Sequence, residues 1–140
     1  MKKIYVQEEW CLKCRLCEYV CAYANSGCEN IVFALKNRPI SPRITVEDDG
    51  KICFAVSCRH CDDPSCLKGC ISGAISKADG VVRIDKNKCV GCLTCVLSCP
   101  YGAISVGPEG TATKCELCIG NAGGTPMCVR FCPNRAIICE

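Results

Sequence analysis

Sixteen of the nineteen cysteines stand in four groups of four, each closing on C-x3-C. The groups are Cys11, Cys14, Cys17, Cys21; Cys58, Cys61, Cys66, Cys70; Cys89, Cys92, Cys95, Cys99; and Cys115, Cys118, Cys128, Cys132. Thiolates at this spacing hold iron in sulfide-bridged cubes. A [4Fe–4S] cube needs one thiolate at each of four corners, and C-x2-C-x2-C lets a single loop wrap three of them. The fourth cysteine comes after a turn and reaches the neighbouring cluster, so groups work in pairs and four groups imply four clusters.

The third group, followed by Pro100, is the complete C-x2-C-x2-C-x3-C-P run. The first has the same spacing with Ala22 in place of proline. The second is C-x2-C-x4-C-x3-C, followed by Ile71. The fourth carries nine residues, Ile119 to Met127, between its second and third cysteines. Structural zinc takes two cysteine pairs separated by a longer spacer, so it fits this pattern less well. Pro100 and Pro133 fix φ and stop a helix just past the fourth ligand. Gly91 and Gly102 are expected to let backbone N–H groups approach cluster sulfurs.

A chain of 140 residues suits one compact domain. Cysteine at about 14% exceeds the roughly 8–10% that marks a cross-linked or metal-built scaffold. Aromatics are only 6%, and cysteine inflates the apolar fraction of 49%. Metal ligation should therefore supply much of the folding free energy, leaving the apo chain poorly folded. The opening Met1–Trp10 shows no apolar leader and no twin arginine, and no stretch approaches the ~20 apolar residues of a membrane span. The expectation is a soluble, cytoplasmic protein, and a reducing cytosol argues against a disulfide framework.

The formal net charge is +3. Sixteen thiolates and four oxidised cores of about +2 each bring it to about −5, and full reduction to about −9. The apparent basicity is thus no argument for nucleic-acid binding. Lys13, Arg15, Arg59, Lys68, Lys88, Lys114 and Arg130 stand beside ligands, where a cation offsets cluster charge and favours an added electron.

The groups share an exit. Cys70 leads into Ile71-Ser-Gly-Ala-Ile75, Cys99 into Pro100-Tyr-Gly-Ala-Ile104, and Cys132 into Pro133-Asn-Arg-Ala-Ile137. This repeat predicts a tight turn and then a short apolar strand. Hairpins are expected at Ile44–Val46 with Lys51–Val56, at Ala74–Ile75 with Val81–Ile84, and at Ala103–Val106 with Thr111–Lys114. Their turns would be Asp48-Asp49-Gly50, Ala78-Asp79-Gly80 and Gly107–Gly110. The first group lacks such an exit. A helix over Glu29–Lys36 is expected instead, with Asn25 or Ser26 near its start and Pro39 and Pro42 ending it.

Cys28, Cys53 and Cys139 fall outside the groups. Cys53 and Cys139 read as small buried hydrophobes in strands, and Cys28 as a loop thiol without a ligand role. His60 reads as a hydrogen-bond donor to a cluster sulfur or a partner of backbone rather than a ligand. Trp10 is placed to shield the first cluster or to dock a partner. Tyr19, Tyr23 and Tyr101 read as packing residues, and Met127 could cover a cluster or touch a partner.

This order of groups resembles the four-cluster iron–sulfur subunits of the dimethyl sulfoxide reductase, formate dehydrogenase and hydrogenase systems. The compact Cys58-Arg-His-Cys-Asp-Asp-Pro-Ser-Cys66 and the stretched fourth group are part of the likeness, which runs from Cys11 to Cys132. The resemblance implies an α+β fold of two pseudo-symmetric bacterial-ferredoxin-like units, short antiparallel hairpins plus short helices, around four [4Fe–4S] clusters. It implies one polyferredoxin domain over 1–140, with subdomains 1–57 plus 111–140 and 58–110. It implies four ligand sets: Cys11, Cys14, Cys17 with Cys132; Cys115, Cys118, Cys128 with Cys21; Cys58, Cys61, Cys66 with Cys99; and Cys89, Cys92, Cys95 with Cys70.

The short form, with Val6-Gln-Glu-Glu-Trp-Cys11 opening the first group, is most similar to the small ferredoxin-like partner of nickel carbon monoxide dehydrogenase. That likeness implies a non-catalytic electron carrier between carbon monoxide dehydrogenase and a hydrogenase or flavin-dependent NAD(P) oxidoreductase in anaerobic metabolism. A subunit of a formate dehydrogenase or hydrogenase complex is the alternative, and an iron–sulfur redox sensor the alternative of another class. No Walker loop, G-x-G-x-x-G or C-x3-C-x2-C run is present, so nothing points to nucleotide binding or radical chemistry. No helix-turn-helix or basic stripe supports the sensor reading.

Overall fold

The computed structural model describes residues 2–36 and 39–140. Eight short strands form four separate two-stranded antiparallel sheets among these residues: β1 (Ile4–Val6) with β8 (Ile137–Cys139), β2 (Ile44–Asp48) with β3 (Cys53–Ser57), β4 (Ile75–Ala78) with β5 (Val81–Ile84), and β6 (Ile104–Val106) with β7 (Ala112–Lys114). Five short helices lie between them: α1 (Leu16–Ala24), α2 (Ile31–Lys36), α3 (Ser65–Lys68), α4 (Thr94–Ser98) and α5 (Met127–Phe131). This is the expected α+β architecture of hairpins and short helices, and the three expected hairpins form. The Asp79-Gly80 turn takes positive φ at both residues, 51° and 78°, the geometry that tight hairpins favour. The closing of β1 on β8 was not expected, because Ile4–Val6 is too short to announce itself.

An isolated two-stranded hairpin is marginal in water. Here the edges are satisfied by side chains from the cysteine groups. Glu18 Oε1 accepts the Val46 N–H at 2.7 Å, His60 Nδ1 the Val82 N–H at 3.0 Å, and Glu116 Oε1 the Ile84 N–H at 3.2 Å. Each fills a backbone donor that a free edge would leave open.

Two apolar clusters form the interior. One gathers Ile4, Ile44, Val46, Ala55, Val81, Leu117 and Ile137 with Cys17, Cys21, Cys58, Cys115 and Cys128. The other gathers Ile75, Val82, Ile84, Ile104 and Ala112 with Cys95. Adjacent residues of β5 face opposite ways, Val81 into the first and Val82 into the second, so this strand is a wall common to both. Hairpin β6–β7 pairs its strands across the sequence boundary at 110/111.

The prolines act where they stand. Cys99 and Cys132, just before Pro100 and Pro133, are extended with ψ of 115° and 112°, and α4 and α5 end there. With Ala22 in that place, α1 runs through Cys21 to Ala24. The second helix starts later than expected. Asn30, not Asn25 or Ser26, caps it, its Oδ1 accepting the N–H of Val32 at 2.9 Å. Asn25 and Ser26 close α1 instead, donating backbone N–H groups to Cys21 and Tyr23 carbonyls at 3.2 and 3.1 Å.

Each exit turns through a left-handed residue three positions past the cysteine: Gly73 (φ 67°), Gly102 (φ 61°) and Arg135 (φ 52°). No protein atom lies within 4 Å of a Cβ built on Gly102, so its positive φ is the demand that the chain itself makes there. Gly91 also allows a close approach within the protein, to the Gly110 carbonyl, 2.9 Å from such a Cβ. Left-handed backbone costs a non-glycine residue about 1 kcal/mol. Gly102→Ala should therefore lower the midpoint of an anaerobic thermal scan at fixed rate by a few degrees, and Arg135→Gly should not lower it. A fall for Arg135→Gly as large as that for Gly102→Ala would contradict this account.

Candidate cluster cavities

The same local bend recurs in all four cysteine groups. In every first C-x2-C the second spacer residue is left-handed: Lys13 at φ 57°, His60 at 46°, Gly91 at 71° and Leu117 at 56°. This bend turns the chain around its first cysteine and brings a backbone N–H onto the sulfur. His60 N–H donates to Cys58 Sγ at 3.4 Å and Leu117 N–H to Cys115 Sγ at 3.5 Å. Arg43 N–H reaches Cys21 Sγ and Ala136 N–H reaches Cys132 Sγ, both at 3.2 Å. Such donors favour sulfur that carries negative charge, as cluster thiolate does.

Beyond that bend, cysteines from different groups converge. Cys11, Cys14 and Cys17 line one cavity with Cys132. Cys58, Cys61 and Cys66 line a second with Cys99. Cys89, Cys92 and Cys95 line a third with Cys70. Cys21, Cys115 and Cys128 share the first apolar cluster. Cys118 lies close enough for its charge to raise the thiols of both Cys21 and Cys128. No three Cys, His, Asp or Glu side chains among the described residues close on a point that would suit one metal ion.

The electrostatics fit a cluster in place of free thiols. Burial lifts Cys17 and Cys115 to about 12. Burial also pushes Cys128, Cys21, Cys66 and Cys95 up. These sulfurs become thiolates only when iron shares the charge, so ligation and folding are coupled. The third cavity differs. Burial raises Cys70, but the Ser72 hydroxyl and the N–H groups of Ile75, Ala74 and Ser72 outweigh it and bring the thiol down. Cys92 is lowered by the hydroxyl and N–H of Thr94. Four all-sulfur donors per site, with backbone N–H groups aimed at sulfur, suit a [4Fe–4S] cube.

The three cysteines outside the groups stay out of these cavities. Cys53 lies in β3 with its Sγ 3.2 Å from the Cys11 carbonyl, and Cys139 ends β8. Cys28 sits in a loop beside Ser26. His60 is fully buried; desolvation, then the charges of Lys114, Lys3 and Lys77, lower it to about 4, so it is neutral. Tyr101 is no simple packing residue: it is 44% exposed, and the Arg59 guanidinium stacks on its ring at 4.8 Å. Both line the cavity of Cys58 and Cys99. Tyr19 is likewise half exposed, and Trp10 is 51% exposed beside Cys11.

Three roles escape sequence reasoning: the edge-capping of Glu18 and Glu116, and the burial of Lys114, which is 1% exposed. Only strand alternation hints at the last, since Lys114 shares a face with Ala112.

Comparison with known proteins agrees with this chemistry. Residues 51–140 match the 4Fe-4S dicluster domain family. An "Iron-sulfur protein" of Rhodospirillum rubrum is 38% identical over 96% of this chain and 79% of its own. "Electron transport protein HydN" of Escherichia coli (strain K12) is 34% identical over 92% of this chain and 82% of its own. "Putative oxidoreductase AegA" of the same organism is 35% identical over 96% of this chain, which spans only 21% of that longer protein. With cavities lined by four sulfurs each and this match over most of its length, the chain belongs to the 4Fe-4S dicluster domain family and is an iron–sulfur protein.

Proposed function

We propose that the protein carries electrons, without catalysis of its own, through four [4Fe–4S] clusters between protein redox partners. The single observation that carries the reading is the interleaving of the cavities: three sulfurs from one group and the fourth from another, three times over. The ligand sets are then Cys11, Cys14, Cys17, Cys132; Cys115, Cys118, Cys128, Cys21; Cys58, Cys61, Cys66, Cys99; and Cys89, Cys92, Cys95, Cys70. With every iron holding a cysteine, none is left open to a substrate. The pairing divides the chain into 1–57 plus 111–140 and 58–110.

The packing supports an order for the wire. Cys17 and Cys58 both share the first apolar cluster with Cys115 and Cys128, whereas Cys66 and Cys99 pack on the second beside Cys95 and Cys89. We take the sets of Cys11, Cys115, Cys58 and Cys89 to lie in that sequence. The two end sets contain the exposed cysteines, Cys14 and Cys92. A radius of about 14 Å for this length keeps neighbouring clusters close. Electrons enter at one end and leave at the other.

Carbon monoxide dehydrogenase is the donor we favour, with a hydrogenase or flavin-dependent NAD(P) oxidoreductase as acceptor. Support comes from the Val6–Cys11 opening of the first group. A formate dehydrogenase or hydrogenase complex is the second choice. No helix among the described residues is long and apolar enough to cross a membrane, and we place the carrier in the cytoplasm.

Iron analysis tests the ligand sets. The reconstituted protein should hold about sixteen irons. Cys58→Ala with Cys99→Ala should cost about four irons, no more than either alone, because both serve one cluster. Cys89→Ala with Cys99→Ala should cost about eight. The reverse pattern would reject the interleaving. Cys28→Ser should leave the iron content unchanged.

Partner choice is tested anaerobically by mixing protein, carbon monoxide dehydrogenase and CO. Cluster absorbance should bleach quickly, and only with the enzyme present. No bleaching, while dithionite still reduces the clusters, would remove that donor and leave the carrier.

A further inference from the structure

The two apolar clusters meet at β5 and β7, and one charge is buried in the joint. Lys114 ends β7 and is 1% exposed. Its Nζ donates to the Val82 carbonyl of β5 and, at 2.8 Å, to the Cys115 carbonyl. The Val82 N–H in turn donates to neutral His60. Among the described residues no carboxylate pairs with Lys114. Glu116, two positions on, is turned to the Ile84 N–H and to Arg43, 4.0 Å away.

The other cations beside ligands are placed differently. Lys13 pairs with Asp48, Arg15 with Glu18 at 3.2 Å, and Lys68 with Asp63 at 2.6 Å. Arg59 and Arg130 lie over aromatic rings. These cations and Lys88 are all exposed, although the Glu18 that pairs with Arg15 is itself buried. An ammonium held in a core by neutral carbonyls alone is costly, and proteins pair such charges. What flanks Lys114 is the pair of inner cysteine sets. Val82, whose carbonyl it holds, lines the cavity of Cys58, Cys61, Cys66 and Cys99, and the other carbonyl it holds is that of Cys115.

We propose that Lys114 is the shared counter-ion of the two inner clusters, those of the Cys58 and Cys115 sets, and keeps both easy to reduce at the joint between the halves. The proposal rests on the four-cluster reading. One electron leaves the cluster on the donor side and enters the next. The receiving cube with its four thiolates goes from a net charge of about −2 to about −3. A fixed cation stabilises the more negative state more strongly, and low dielectric between the halves strengthens the effect. Lys114 is a positioning and tuning residue: it holds Val82 against Cys115 and offsets charge on both sides.

The test is an EPR-monitored redox titration of the reconstituted full chain, wild type against Lys114→Gln and Lys114→Arg, with iron counted in each. Glutamine keeps a donor for the carbonyls and removes the charge. With about sixteen irons retained, Lys114→Gln should make two of the four clusters at least tenfold harder to reduce, a fall of 59 mV each for one electron. The other two should stay where they are, and Lys114→Arg should leave all four near wild type. Potentials unchanged in Lys114→Gln, or lowered equally in all four clusters, would overturn the proposal. If Lys114→Gln loses iron, Lys114→Arg decides. Full iron and wild-type potentials in the arginine variant support a need for charge, whereas equal iron loss in both variants refutes it. Iron well below sixteen in the wild type would instead strike at the four-cluster reading.

Discussion

Sulfur serves this protein twice, as ligand and as interior. Cys17, Cys21, Cys58, Cys115 and Cys128 sit among the same buried residues as Ile44, Val46 and Leu117. A thiol in that setting behaves as a small hydrophobe, but a thiolate there needs iron to share its charge. The fold is thus conditional on its cargo. Four two-stranded sheets of three to five residues a strand would not persist by themselves. They hold because each is tied to a cysteine loop, either by the chain or by a side chain such as Glu18 or Glu116 that fills its open edge.

The exit from each group shows how a repeat can be kept while its residues change. Gly73, Gly102 and Arg135 occupy one position and share one left-handed conformation. The next two residues, alanine and isoleucine each time, enter the following strand. Two of the three sites use the residue that suits the bend, and the third uses arginine. Conformation is therefore the shared requirement, and residue type follows it only where other demands allow.

Much of this was legible because cysteine spacing is a geometric code and hairpin turns have strong local chemistry. Asp48-Asp49-Gly50, Asp79-Gly80 and Gly107–Gly110 mark their turns without any knowledge of tertiary structure. What stayed hidden depends on contacts distant in sequence. Ile4–Val6 is a strand only because Ile137–Cys139 lies beside it. Asn25, Ser26 and Asn30 are all plausible caps, and the choice among them was set by where α1 ends, with Ala22 standing where the third and fourth groups have proline. Lys114 reads in the sequence as one of seven cations beside ligands, with nothing to set it apart from the rest. Its burial comes from packing β7 on β5, at which the face it shares with Ala112 only hints.

The cavity shared by Cys11, Cys14 and Cys17 with Cys132 also sets a timetable for biogenesis. Translation delivers the first cysteine group before the other three, and Cys132, which shares its cavity, after every other cavity cysteine. The cavities lined by Cys58 to Cys66 with Cys99, and by Cys70 with Cys89 to Cys95, have all their sulfurs by residue 99. On the proposed ligand sets, cluster insertion on a growing chain starts with these two cavities. The thiols synthesised first wait longest without iron, and they are the ones most open to oxidative damage before the protein is finished.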